Sequence, residues 1–247
     1  AMLNTVRPSA LRPPSAKNTP WTTRTTVRAR VPNQGPTSTF RFNYDGDAPA
    51  APAIENLDGV ASGVWQNTTR SANFSWPTPE DAGSGVAGYY RYWGEDPNGT
   101  SDVLLPTNTF TLAEPFCDLD KVCTRYLRVR SQDAVGWQSD WASFVTRYDG
   151  APPTAGLVAN YGVPVVHQTQ VHLAITASDL GSGATQMRLS NGGYTWSEWT
   201  PLADELYWEI PAVGRRNHDI YLQVMDAATN VSSVVSDTVY LDVNAPY

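Results

Sequence analysis

The chain has 247 residues, 41% of them hydrophobic, with nine Trp, twelve Tyr and six Phe. That length suits about two domains, and that aromatic content can build real cores, which excludes a disordered chain. No apolar run approaches the ~18 residues of a membrane-spanning helix. No charged stretch followed by an apolar one opens the sequence, so a signal peptide is expected to be absent or already removed. The net charge of −7 is uneven, because residues 1–44 hold seven basic and no acidic side chains. The remainder holds ten basic and 24 acidic ones. A basic arm precedes an acidic body.

In chain order, residues 1–20 are rich in Pro, Ser and Arg and read as an extended arm. Residues 21–47 alternate at strand period, with Val27, Ala29 and Val31 against Arg28 and Arg30, then Phe40, Phe42 and Tyr44 against Arg41 and Asn43. The stretch PNQGP between them predicts a β-hairpin that resembles the last two strands of a sandwich module. A lone hairpin is marginal in water, so its apolar face calls for a covering sheet. Val27, Val31, Phe40, Phe42 and Tyr44, with Arg28, Arg30 and Arg41, are therefore expected to form a contact arm. It would add as a strand to a neighbouring copy or to an adjacent module.

Two longer segments follow, 48–151 and 152–247. An Ala-Pro phrase after an aromatic or aliphatic run recurs at Pro49, Pro152 and Pro246, at spacings of 103 and 94. EDAGSG (80–85) is echoed by SDLGSG (178–183), and QDAVGWQS (132–139) by MDAATNVS (225–232). A period near 100 residues is that of a β-sandwich domain. Period-2 alternation dominates both segments, in ANFSW, VAGYYRYWG, NTFTLA, RYLRVRSQD and ASFVTRY, then in QVHLAITAS, DIYLQVMD and SDTVYLDV. The prediction is an all-β chain of two tandem sandwiches. Cys117 and Cys123, six residues apart, suit a small disulfide loop, with two buried thiols as the alternative.

Trp76 in FSW, the GYYRYWG strand and YLRVRSQDAVG resemble fibronectin type III modules of bacterial surface proteins. MRLSNGGYTWSEWTPL, with YLQVMDAATNVSSVVSDTVYLD, is similar to bacterial Ig-like modules that occur in tandem in large extracellular proteins. The resemblance covers residues 49–247 and implies Ig/fibronectin-III-like sandwiches, an extracellular or cell-surface location and a structural rather than catalytic role. One departure is that the inward phase of Leu127 and Val129 puts Arg125, not Tyr126, where a tyrosine corner would stand.

Asp81 and Asp179 precede Gly-Ser-Gly, and Asp133 and Asp226 open the later turn. Calcium takes oxygen ligands from such loops, so these four are candidate ligands, although single Asp residues also cap turns. Calcium is the one cofactor candidate. Of the three His, His172 points away from the Val171-Leu173-Ile175 face with no nucleophile or carboxylate placed beside it by spacing, and no nucleophile-elbow, zinc-helix or phosphate-loop motif occurs, so no enzyme is expected. Trp137 and Trp141 in WQSDW face a strand bearing Tyr126, Arg128 and Arg130, which predicts an arginine–aromatic ladder. The rival reading makes Tyr89, Trp93, Trp137 and Trp141 a sugar-binding platform, with a polysaccharide as partner. WSEWT (196–200) resembles the W-S-x-W-S box of cytokine receptors, but it follows a different strand with no Tyr/Arg strand expected opposite. It reads as a coincidence. Alternation of Arg with Val and Phe in the arm, beside an acidic body, argues against nucleic acid. The expected function is a non-enzymatic structural segment of a bacterial surface appendage assembling through its arm, or else a carbohydrate-binding or spacer module.

Overall fold

The computed structural model describes residues 22–23, 42–213 and 215–243. In the arm, β1 (Thr22–Thr23) pairs antiparallel with β2 (Phe42–Asn43), Thr22 opposite Asn43 and Thr23 opposite Phe42. The 27–31 run, expected to pair with residues 40–44, lies outside the described residues. Val27, Arg28, Arg30, Val31, Phe40 and Arg41 lie outside the described residues. Tyr44 is strongly exposed.

The first module comprises β3 (Glu55–Asn56), β4 (Trp65–Gln66), β5 (Asn73–Ser75), β6 (Val86–Gly94) and β7 (Leu104–Leu105). It continues with β8 (Thr109–Thr111), β9 (Val122–Asp133) and β10 (Ala142–Asp149). One sheet runs β3-β5-β8 and the other β4-β10-β9-β6-β7. The second module comprises β11 (Thr154–Ala159), β12 (Val165–Val166), β13 (Gln170–Ser178) and β14 (Ala184–Asn191). After these come β15 (Thr200–Pro201), β16 (Glu205–Glu209), β17 (Arg216–Asp226) and β18 (Val235–Leu241). Its sheets run β11-β13-β16 and β12-β18-β17-β14-β15. Strand for strand the two orders are the same, down to the short parallel pairings β4 with β10 and β12 with β18. These are two fibronectin-III-like sandwiches in tandem. Among the described residues no helix is long and apolar enough to cross a membrane.

The alternation read from the sequence sets the cores. Ala72, Phe74 and Trp76 point inward and are fully buried, as are Leu127 and Val129 of β9. The first core is aromatic: Phe74 meets Phe144 edge-on at 5.1 Å, and Trp76 meets Tyr89 edge-on at 5.6 Å. The second core is aliphatic, built on Val171, Leu173, Ile175, Leu189, Ile220, Leu222, Val224 and Leu241. Each buried Leu or Val side chain contributes about 1.5–3 kcal/mol by leaving water, so both modules have a core of their own.

Cys117 and Cys123 are joined in a disulfide. The loop it closes lies against the exit of β10. The Tyr148 hydroxyl donates to the Leu119 carbonyl at 3.0 Å, and Gly150 N–H donates to the Lys121 carbonyl at 3.1 Å. A Cβ at position 150 would sit 1.7 Å from the Leu119 oxygen, so only glycine fits there. Two separate cores predict two unfolding transitions. Leu127→Ala should weaken only the first and Leu222→Ala only the second, each by about 2–5 kcal/mol, measured by calorimetry.

Candidate cation sites at the module entrances

The tryptophans do not form a platform. Tyr89 is buried against Trp76, and Trp93 packs against Phe74, Phe110 and Phe116 within the first core. Both project to the opposite face of their sheet from Trp141, so the four proposed sugar-binding residues cannot act as one surface. The reason lies in β6, whose aromatic residues occupy both parities of the strand. Outward-facing Tyr90 instead stacks on Arg130 at 4.8 Å, Arg130 on Trp141 at 4.7 Å, and Trp141 on Arg128 at 5.1 Å. That is the expected ladder, with Tyr90 as its end ring in place of Trp137 or Tyr126. WSEWT does meet an arginine: Arg188 of β14 lies over Trp196 at 4.9 Å and over Trp199 at 4.6 Å. A second, shorter ladder therefore clips this loop to β14. Each exposed contact of this kind contributes about 0.5–1 kcal/mol.

The candidate aspartates gather in two groups, each completed by a residue that the turn motifs did not single out. Asp81 and Asp133 meet Asp45, and Asp179 and Asp226 meet Asp149. In each triad one carboxylate oxygen per residue lies within 4.8 Å of the others. Asp45 and Asp149 belong to the repeated Tyr-Asp-Gly phrase. Asp149 ends β10, and Asp45 follows β2. Each therefore arrives from the segment preceding the module whose loops it touches.

The local geometry repeats almost bond for bond. Asp45 accepts the Ser84 N–H at 2.6 Å, and Asp149 accepts the Ser182 N–H at 2.7 Å. Asp81 accepts the Gly85 N–H, and Asp179 accepts those of Gly181 and Gly183 at 3.0 and 2.7 Å. Gly85 and Gly183 hold φ of 80° and 86°, the left-handed conformation that glycine adopts without strain. Asp133 accepts three N–H groups, from Val135, Gly136 and Trp137, through Oδ1. Asp226 takes the N–H of Asn230 in the corresponding way at 2.8 Å. Ala134 and Ala227 donate to the carbonyls of Gly85 and Gly183, joining the two loops of each site. Just beyond these glycines both modules carry a β-bulge, between Val86 and Gly88 and between Ala184 and Gln186.

A Cβ on Gly83 or Gly181 would fall 2.2–2.9 Å from the Asp45 or Asp149 carboxylate, so these glycines open the way for the incoming aspartate. Hydrogen bonds from Ser84 hold the Asp45 carboxyl below its ordinary pKa. Burial pushes the Asp226 carboxyl up, with Asp149 and Asp179 adding repulsion against the hydrogen bonds from Asn230.

The sites differ in the side chain that closes the joint, Trp137 in the first and Asn230 in the second. In the first module Trp137 donates its indole N–H to the Asp45 carbonyl at 3.3 Å. In the second, Asn230 donates its amide both to the Asp149 carbonyl and to Asp226 Oδ2, each at 2.8 Å. The Asn230 amide oxygen in turn accepts from Asn67 of the first module at 2.8 Å.

No protein-family model and no curated protein matches the chain. Among solved structures it is similar to the fibronectin(III)-like modules of CbhA from Clostridium thermocellum, at 17% identity and a TM-score of 0.37. That match covers 76% of this chain and 94% of the other. It is also similar to the FN1–FN3 domains of chicken CNTN1, at 10% identity and a TM-score of 0.34, covering 84% of this chain and 73% of that one. Strand order and register remain the ground for the fold.

The close approach at Gly181 has a direct consequence. Gly181→Ala should displace the Asp149 carboxylate and lower the stability of the second module by about 1–3 kcal/mol. Thermal unfolding should show the second transition moving and the first unchanged.

Proposed function

We propose that this chain is a spacer segment of a larger extracellular protein, in which fibronectin-III-like modules are strung in series through a repeated joint. The observation that carries this reading is the equivalence of Asp45 and Asp149. The bonds that tie β10 of the first module into the loops of the second recur where the residues after β2 enter the first. A module with Asp-Gly at the end of its last strand and Gly-Ser-Gly beside its entrance can be joined to others of its kind indefinitely. The partners are accordingly adjacent modules of the same protein.

Three further features support the reading. The disulfide loop braces Gly150 at the joint, and a disulfide belongs to an oxidising compartment. The most regular surface aromatics are used in arginine ladders, which stiffen a sheet face. Two of the three histidines are buried, His218 and His172, the latter under Tyr161 with its ring stacked at 4.1 Å and Glu205 at 3.5 Å, and His167 meets the Asp242 carbonyl at 2.9 Å.

A spacer should be elongated and monomeric. Small-angle scattering with sedimentation is expected to give an extended monomer with its two modules end to end. A compact, folded-back particle, or retention on insoluble polysaccharides that is lost on Trp137→Ala, would overturn the spacer reading.

A further inference from the structure

We infer that the Asp45–Asp81–Asp133 cluster at the entrance of the first module is a calcium site that fastens the incoming segment to the module. The inference rests on the reading of this place as a joint. Beyond the cluster of carboxylates itself, the decisive observation is Asp133. It is only 1% exposed, and its Oδ2 is buried with no hydrogen-bond partner while its Oδ1 is saturated by three N–H groups. Asp81 presents a second buried, unpartnered oxygen, Oδ1, after giving its other oxygen to Gly85. Buried carboxylate oxygens without a partner are costly. Here two of them belong to residues whose ligating oxygens lie within 4.8 Å of each other and of Asp45. Among the described residues no Arg, Lys or His forms an ion pair with any of the three.

The donor set identifies the ion. It consists of oxygen only, with no thiolate or imidazole, which selects a hard cation over zinc or copper. Calcium bonds at about 2.3–2.6 Å with flexible geometry, so oxygens on opposite sides of it stand about 4.6–5.2 Å apart. Magnesium bonds at about 2.0–2.1 Å in a strict octahedron and keeps most of its waters. Three carboxylates on three separate, hydrogen-bonded segments fit the looser ion.

The second triad is an internal comparison. Asp179 Oδ1 is again buried and unpartnered, but the Asn230 amide ties up Asp226 Oδ2. Trp137 at the same place leaves Asp133 Oδ2 open. The second joint is already cross-linked by Asn230, so the first is the tighter cation site.

The test uses the full chain freed of metal with EDTA, titrated with Ca²⁺ by calorimetry and with Tb³⁺ by luminescence excited through tryptophan. Trp137, bonded to the Asp45 carbonyl, is placed to sensitise Tb³⁺. The expected result is saturable Tb³⁺ emission displaced by Ca²⁺, with the first unfolding transition raised by several degrees in millimolar Ca²⁺. Asp81→Asn should weaken Ca²⁺ binding about tenfold or more and remove that rise. In EDTA the same variant should melt no lower than the parent, because it relieves carboxylate repulsion; a misfolded variant would melt lower. Asp179→Asn should leave the tighter binding event intact. Absence of binding, binding unaffected by Asp81→Asn, or an equal thermal shift with Mg²⁺ would each overturn the assignment. Scattering reads particle length independently, so a rigid rod that binds no Ca²⁺ would refute the calcium site and leave the spacer reading standing.

Discussion

Each joint turns on one contact: a carboxylate at the end of one unit accepting the serine backbone N–H of a Gly-Ser-Gly loop of the next. Asp149 makes it to Ser182, and Asp45 makes it to Ser84. Charge-assisted hydrogen bonds are roughly twice as strong as neutral ones. This one also fixes direction, because a carboxylate reaches the amide only when its strand exits toward that loop. Much of the surrounding architecture follows from it. Gly83 and Gly181 lack a Cβ because the carboxylate passes there, and Gly150 lacks one because the disulfide loop closes over the strand exit.

Bringing three carboxylates together costs Coulomb energy, which the fold offsets unequally. In the second module Asn230 supplies N–H groups to Asp226 and to the Asp149 carbonyl and reaches Asn67 across the joint. In the first, Trp137 takes that position; its backbone N–H reaches Asp133 Oδ1, but its indole reaches only the Asp45 carbonyl and leaves Asp133 Oδ2 without a partner. The Trp137/Asn230 exchange therefore separates a joint closed by amides from one whose buried Asp133 Oδ2 has no hydrogen-bond partner.

The strands were legible in the sequence wherever one face is apolar. VAGYYRYWG and QVHLAITAS coincide with β6 and β13 in full. Facing was not legible in β6, because Tyr89, Tyr90, Tyr92 and Trp93 fill both parities, and only packing shows that Tyr89 and Trp93 are core. Arg188 was missed for a different reason, since a ladder needs only one arginine between two indoles and no run of alternating Arg and Tyr announces it. The turn aspartates were visible as repeats. Asp45 and Asp149 were visible only as members of the Tyr-Asp-Gly phrase, because the amides they bind lie 39 and 33 residues away. The repeat held the information, but local turn chemistry did not disclose its use.

The central claim is that the strand-end aspartate holds neighbouring modules in one relative orientation. Pulsed electron–electron resonance between spin labels at Val103→Cys and Tyr194→Cys, both exposed and one in each module, measures this directly, because the native cysteines are oxidised to a disulfide. The account predicts a narrow distance distribution that broadens on Asp149→Ala while both modules keep their unfolding transitions. A distribution equally broad with and without Asp149, or equally narrow, would contradict it.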